Sequence, residues 1–194
     1  QVYQGSFYRQ LDGKIYFGEP GPKSLLSADA KSFKVFGERD FDFQYLTPLG
    51  MDKDAFFLAT RRIPFPGAHK ARILAPNNNG DCMYLLVAGG KLLRINENAR
   101  KVEPVAGAPD SASIQAIASK NRYAAPMYFK DAKAVYFYDI YGNRLLRLPR
   151  ADPKSFVGHA ETYGFQLYWG LDAKHAYVGG QLIDQAHRGS FEYV

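Results

Sequence analysis

Four histidines, one cysteine and the aspartate pair Asp40 and Asp42 are where chemistry would first be sought in this chain of 194 residues. His69, His159, His175 and His187 stand far apart, with neither the His-x-His nor the His-Glu-x-x-His spacing that aims two imidazoles at one metal. A metal site would therefore need ligands gathered by the fold alone. Asp40 and Asp42, in ERDFDF, fall on one face of a strand. That pair could bind a cation or work as acid and base, and it suits a solvated strand face equally. Cys82, in GDCMYLL, opens an apolar run and reads as a small buried hydrophobe. A single cysteine also excludes an internal disulfide and a cysteine-ligated metal. No Gly-x-Ser-x-Gly elbow and no phosphate-cradling glycine loop is present. The expectation is a protein that is not an enzyme and that needs no cofactor or metal.

Binding chemistry is more visible. The segment RRIPFPGAHKAR, residues 61–72, groups Arg61, Arg62, Phe65, His69, Lys70 and Arg72 around two prolines. Stiffening by proline lowers the entropy lost when side chains are presented to a partner, so these six residues form the candidate partner-binding site. Prolines and lysines also discourage strand pairing, which makes an edge-protecting loop the alternative. His69 and His187 lie in similar settings, GAHKARI and QAHRGSF, as a shared structural position would. A net charge of +6 and a pI near 9.3 fit an acidic partner. The charge is spread thinly, with Arg144, Arg147 and Arg150 as the other dense group. Nucleic-acid binders carry longer basic runs interleaved with aromatics, so no nucleic-acid partner is expected.

These residues must be positioned by strands. Aromatics make up 15% of the chain, and they suit the pleated, half-buried surface of a sheet. Five tight turns precede short apolar runs: Asp12-Gly13-Lys14, Asp52-Lys53-Asp54, Gly89-Gly90-Lys91, Asp131-Ala132-Lys133 and Asp172-Ala173-Lys174. The runs that follow, among them IYF, AFFLA and AVYFY, are too short for helices. DSASIQAIASKN, residues 110–121, is the best helical candidate, although its apolar residues also alternate as in a strand. The turns recur about every 40 residues, the period of a propeller blade. Superimposed on this is a duplication between 11–73 and 131–194, in which Gly50, Asp52, Phe57 and Ile63 fall on Gly170, Asp172, Tyr177 and Ile183. The hexads ADAKSF and ADPKSF also coincide, at 28–33 and 151–156. The predicted fold is all-β: one β-repeat domain over 1–194, propeller-like and closed, with about five blades of roughly 40 residues. GSFYR at 5–9 and GSFEYV at 189–194 would pair to close the ring. An antiparallel β-sandwich is the alternative. The repeated Asp is read as a turn builder, accepting hydrogen bonds from the amides just after it.

The pieces DAKAVYFYD (131–139), ADPKSF (151–156) and DAKHAYVGGQLI (172–183) resemble the bacterial DKNYY repeat proteins, with weaker copies at DGKIYF, ADAKSF and DKDAFFL. The likeness covers both ends of the chain and little of 74–125, and the Asn of the motif is replaced in every copy. That family carries no catalytic motif to transfer. The resemblance implies an exported or envelope-associated bacterial protein, of the kind that acts as antitoxin to a secreted toxin. The expected role is thus an immunity protein that binds a cognate toxin directly and is a monomer when free. The second expectation is a cell-envelope or carbohydrate binder using exposed aromatics such as Tyr168 and Trp169. A start at QVYQGSFYRQ suits either a trimmed chain or a mature one after signal removal, which points to the periplasm or cell envelope, with the cytoplasm as the other compartment. No apolar run approaches the roughly 20 residues of a transmembrane helix.

Overall fold

A computed structural model describes residues 7–18, 24–36, 49–77, 83–96, 98–108, 111–118, 127–161 and 167–183. They form five small antiparallel sheets whose strands follow one another in chain order, with a single short 3-10 turn at Ala68–Lys70. The first sheet is β1 (Tyr8–Leu11), β2 (Lys14–Phe17) and β3 (Ser24–Leu26). The second is β4 (Lys34–Val35), β5 (Leu49–Met51), β6 (Ala55–Leu58) and β7 (Arg61–Pro64). The third is β8 (Arg72–Asn77), β9 (Met83–Ala88), β10 (Lys91–Asn96) and β11 (Lys101–Pro104). The fourth is β12 (Gln115–Ala116), β13 (Tyr128–Lys130), β14 (Val135–Asp139) and β15 (Arg144–Arg147). The fifth is β16 (Val157–Glu161), β17 (Leu167–Leu171), β18 (Ala176–Val178) and β19 (Gln181–Ile183). Five separate meanders replace the two large sheets a sandwich would need. The segment 110–121 holds strand β12 in place of a helix.

Each of the five repeated turns joins two strands of its sheet, but the turns are of two chemical kinds. Asp12-Gly13 and Gly89-Gly90 have positive φ at both residues, as a two-residue hairpin loop requires when the strands twist right-handedly. Asp52, Asp131 and Asp172 instead turn the chain with their side chains, each Oδ1 accepting two amides two and three residues ahead.

Two compact units divide the chain, residues 1–89 with 93–103 and residues 90–92 with 104–194. In the first unit the central strands of the second sheet are buried on both faces, which is why β6 reads AFFL without a polar residue. Ala55 and Phe57 meet Tyr8, Ile15, Leu26 and Phe33. Phe56 and Leu58 point the other way, toward Tyr84, Leu86, Leu93 and Ile95. In the second unit Tyr128, Phe137, Phe156, Tyr168 and Tyr177 form a chain of tilted aromatic contacts between the fourth and fifth sheets, with ring centroids 5.1–6.3 Å apart. No helix among the described residues is long and apolar enough to cross a membrane.

Candidate functional site

The carboxylates that repeat along the chain are consumed by structure. Asp52 and Asp172 are 2% and 1% exposed, and a buried carboxylate must be matched by donors. Besides its two turn amides, each receives a third from the upstream hexad: Asp29 N–H donates to Asp52 Oδ2 at 2.8 Å, and Asp152 N–H to Asp172 Oδ2 at 3.0 Å. The hexad completes the exchange through its serine. Ser32 Oγ donates to Asp29 and accepts Lys53 N–H, while Ser155 Oγ donates to Asp152 and accepts Ala173 N–H. The Ser32 and Ser155 hydroxyls, followed by the Lys31 and Lys154 amides, hold Asp29 and Asp152 below the usual carboxylate range. At Asp172 burial pushes the carboxyl up, but the amides of Lys174, Asp152 and His175 and the His175 ring outweigh it, and the net direction is down.

The phenylalanine that ends each hexad locks the same joint from the apolar side. Phe33 packs on Tyr8 and Phe57, and Phe156 on Tyr128 and Tyr177. Gly50 and Gly170 make room for these rings: a Cβ at Gly50 would stand 2.7 Å from Phe33 Cζ, and one at Gly170 would overlap Phe156. The tyrosines close the joint, Tyr8 donating to the carbonyls of Phe57 and Ala59, and Tyr128 to that of Gly179. Sequence reading found the turn Asp but missed its partner in the hexad. The signal was the recurrence of ADxKSF some 20 residues before each of the two buried aspartates.

The basic segment 61–72 is built on one of these joints. Arg61 and Arg62 lie exposed on β7, the outer strand of the second sheet, where Pro64 is tolerated because an edge residue needs no ladder amide. The chain then folds back over the Asp52 turn. Phe65 N–H donates to Asp54 O at 2.8 Å, Gly67 N–H to Lys53 O at 2.6 Å and His69 N–H to Asp52 O at 2.9 Å, while Lys34 Nζ reaches His69 O at 3.2 Å. Gly67, at φ 83°, supplies the left-handed residue that this reversal needs. Phe65, grouped by sequence with the partner-facing residues, is half-buried with its ring 5.5 Å from that of Phe56 and anchors the loop. His69 is also half-buried, its Nδ1 enclosed. Lys70 and Arg72 are exposed. The outward chemistry of the loop is therefore Arg61, Arg62, Lys70 and Arg72, carried on a rigid frame.

Of the other candidates, Asp40, Asp42, Cys82 and His187 lie outside the described residues. Among the described residues no group of three His, Cys, Asp or Glu side chains is arranged to hold a metal ion. His175 stands beside Asp172, its Nδ1 3.2 Å from both carboxylate oxygens. Tyr168 is buried, so it offers no surface to a sugar. Trp169 is half-exposed, but His159 lies flat on one face of its indole at 3.8 Å and an angle of 4°. Family models, curated proteins and solved structures were all compared with the chain, and none matches it.

Proposed function

We propose that this chain is a non-enzymatic binding protein, an immunity protein that neutralises a cognate secreted toxin by presenting the 61–72 loop to an acidic surface on it. The observation that carries the reading is the loop's construction. Three backbone hydrogen bonds and the half-buried Phe65 ring fix its course, so exposed Arg61, Arg62, Lys70 and Arg72 are held ready with little entropy left to lose. Arginines on a fixed frame match carboxylates with two hydrogen bonds each and are frequent anchors in tight interfaces. The duplicated aspartates support the same conclusion from the other side, since their oxygens are already engaged by backbone donors.

In this reading the five meanders are blades of a closed ring in the periplasm or cell envelope, and the protein is a monomer until it meets the toxin. The first sheet has three strands among the described residues where the others have four. The strand it lacks is the one that would lie beside β1, and GSFEYV (189–194) is the proposed fourth strand. Deleting 189–194 is expected to abolish hydrogen-exchange protection at Tyr8–Leu11 while the β17–β18 amides stay protected; equal protection with and without the segment contradicts closure.

The functional test is binding to the product of the neighbouring gene. Purified chain is expected to form a 1:1 complex and to protect cells from that product. Arg61→Glu with Arg62→Glu should weaken the complex at least ~100-fold, as charge reversal at a desolvated anchor does. No binding, or binding indifferent to the reversal, defeats the proposal. A carbohydrate-binding role rests on the half-exposed Trp169, and quenching of the only tryptophan by a glycan would favour it.

A further inference from the structure

The fourth sheet departs from the joint built twice elsewhere. Asp131 makes the same turn, with Oδ1 accepting the amides of Lys133 and Ala134 at 2.7 and 2.8 Å. Its Oδ2, however, takes the Tyr136 hydroxyl at 2.9 Å, where Asp52 and Asp172 take the amide of a hexad aspartate. Beside it opens a cavity of ≈ 280 Å³ lined by Ser113, Asp131, Lys133, Tyr136 and Arg147. Arg147 is the cross-strand neighbour of Tyr136, so the backbone register sets it at the rim. Lys133 and Arg147 are both exposed, and neither makes a side-chain ion pair among the described residues.

We infer that this hollow is a second binding site, for a small hydroxylated anion of the sugar phosphate, sugar sulfate or uronic acid class. The charges dictate the two halves of such a ligand. Lys133 already acts on the Asp131 carboxylate, so the rim carries one cation in excess, and this calls for an oxyanion, which the Arg147 guanidinium grips with two parallel hydrogen bonds. A bare anion would face the Asp131 carboxylate as well. An ionised carboxylate offers about four lone-pair positions, and three donors already occupy Asp131. The position that remains accepts a hydroxyl, and the Ser113 hydroxyl is a further polar wall. The cavity also exceeds what one oxyanion fills, leaving room for the ring that carries the hydroxyls. Burial pushes the Asp131 carboxyl up, but the Lys133 amide, the Tyr136 hydroxyl and the Ala134 amide bring it below its ordinary value, so it is an acceptor at neutral pH. The site does not depend on the protein-binding role of the 61–72 loop.

The test is a ¹⁵N-resolved titration of the whole chain with glucose 6-phosphate, glucuronate, glucose and inorganic phosphate. Saturable shifts are expected at the Ala132–Tyr136 amides with glucose 6-phosphate and glucuronate, at least ~10-fold tighter than with either glucose or inorganic phosphate, the factor one well-made charged hydrogen bond supplies. Arg147→Ala and Lys133→Ala, both surface changes whose folding the same spectra report, should each remove most of that affinity, whereas Arg62→Ala should leave it intact. Phosphate binding as well as the anionic sugars would mean an adventitious ion only and would overturn the inference. So would the absence of saturable shifts, or titrations of both variants that match the parent chain.

Discussion

The joint around Asp52 and the joint around Asp172 are built from corresponding parts, yet they differ at the residue three places after the aspartate. In the first that residue is Ala55, fully buried beneath Tyr8 and Phe33. In the second it is His175, whose ring lies against the carboxylate. Another difference is Phe57 against Tyr177, whose hydroxyl donates to Pro149 O at 2.9 Å. A further one lies at Ala59 and Gly179, which share φ near 55° although only one of them is glycine. What the two joints keep is therefore the part that cannot vary: a carboxylate with three amide donors, a serine that closes the exchange, and a glycine under a phenyl ring. What they change lies around that frame. The copies teach which residues are the joint and which are local fittings.

Removing the carboxylates should break both joints most severely. Asp52→Ala and Asp172→Ala each strand three amides, and each is expected to cost about 2–4 kcal/mol in chemical denaturation. The two losses should agree within ~1 kcal/mol if the joints are equivalent. Gly50→Ala and Gly170→Ala drive a methyl into Phe33 or Phe156, and ring crowding of this kind costs about 1–3 kcal/mol, the larger loss falling on Gly170, where the ring is closer.

Acid should act on both joints together. Asp29, Asp152 and Asp172 have folded values lowered from the usual carboxylate range. A lowered folded value means that the unfolded chain takes up protons first, so the stabilisation is complete above about pH 4, the unfolded carboxylate value, and is lost as pH falls through the folded values. Thermal melts from pH 6 downward should show a falling midpoint beginning near that point, and Ser155→Ala should flatten the fall. A midpoint constant to pH 3 would contradict the assignment. The smallest expected effect sharpens the comparison at the left-handed position: Ala59→Gly should stabilise by up to ~1 kcal/mol and Gly179→Ala destabilise by about as much, because only glycine holds positive φ without strain.

Much of the fold was legible in the sequence because its signals are local. Turns such as Asp12-Gly13 and Gly89-Gly90 announce hairpins through dihedrals that few other pairs adopt, and β6 announces burial on both faces by having no polar residue. The joints were half legible. The turn role of Asp52 follows from neighbours two and three places on, but its bond to Asp29 spans 23 residues and depends on two sheets meeting. The direction of Phe65 was hidden for a similar reason. A proline-flanked phenylalanine among arginines reads as exposed until the N–H groups of 65, 67 and 69, donating to carbonyls of the Asp52 turn, show the loop folded inward. The Asp131 hollow was illegible because it arises from a replacement, a tyrosine hydroxyl taking the place of a hexad amide.

The most direct test of the account is native-state hydrogen exchange at the amides of Asp29, Asp54, Asp152 and His175, which lie outside the strands, where exchange is ordinarily fast. If the aspartates are structural pins, these four amides are protected as strongly as those of β6 and β18 and open with them. Exchange at the rate of an unstructured loop would show that the carboxylates do not hold the joints, and the duplicated aspartates would then need another purpose.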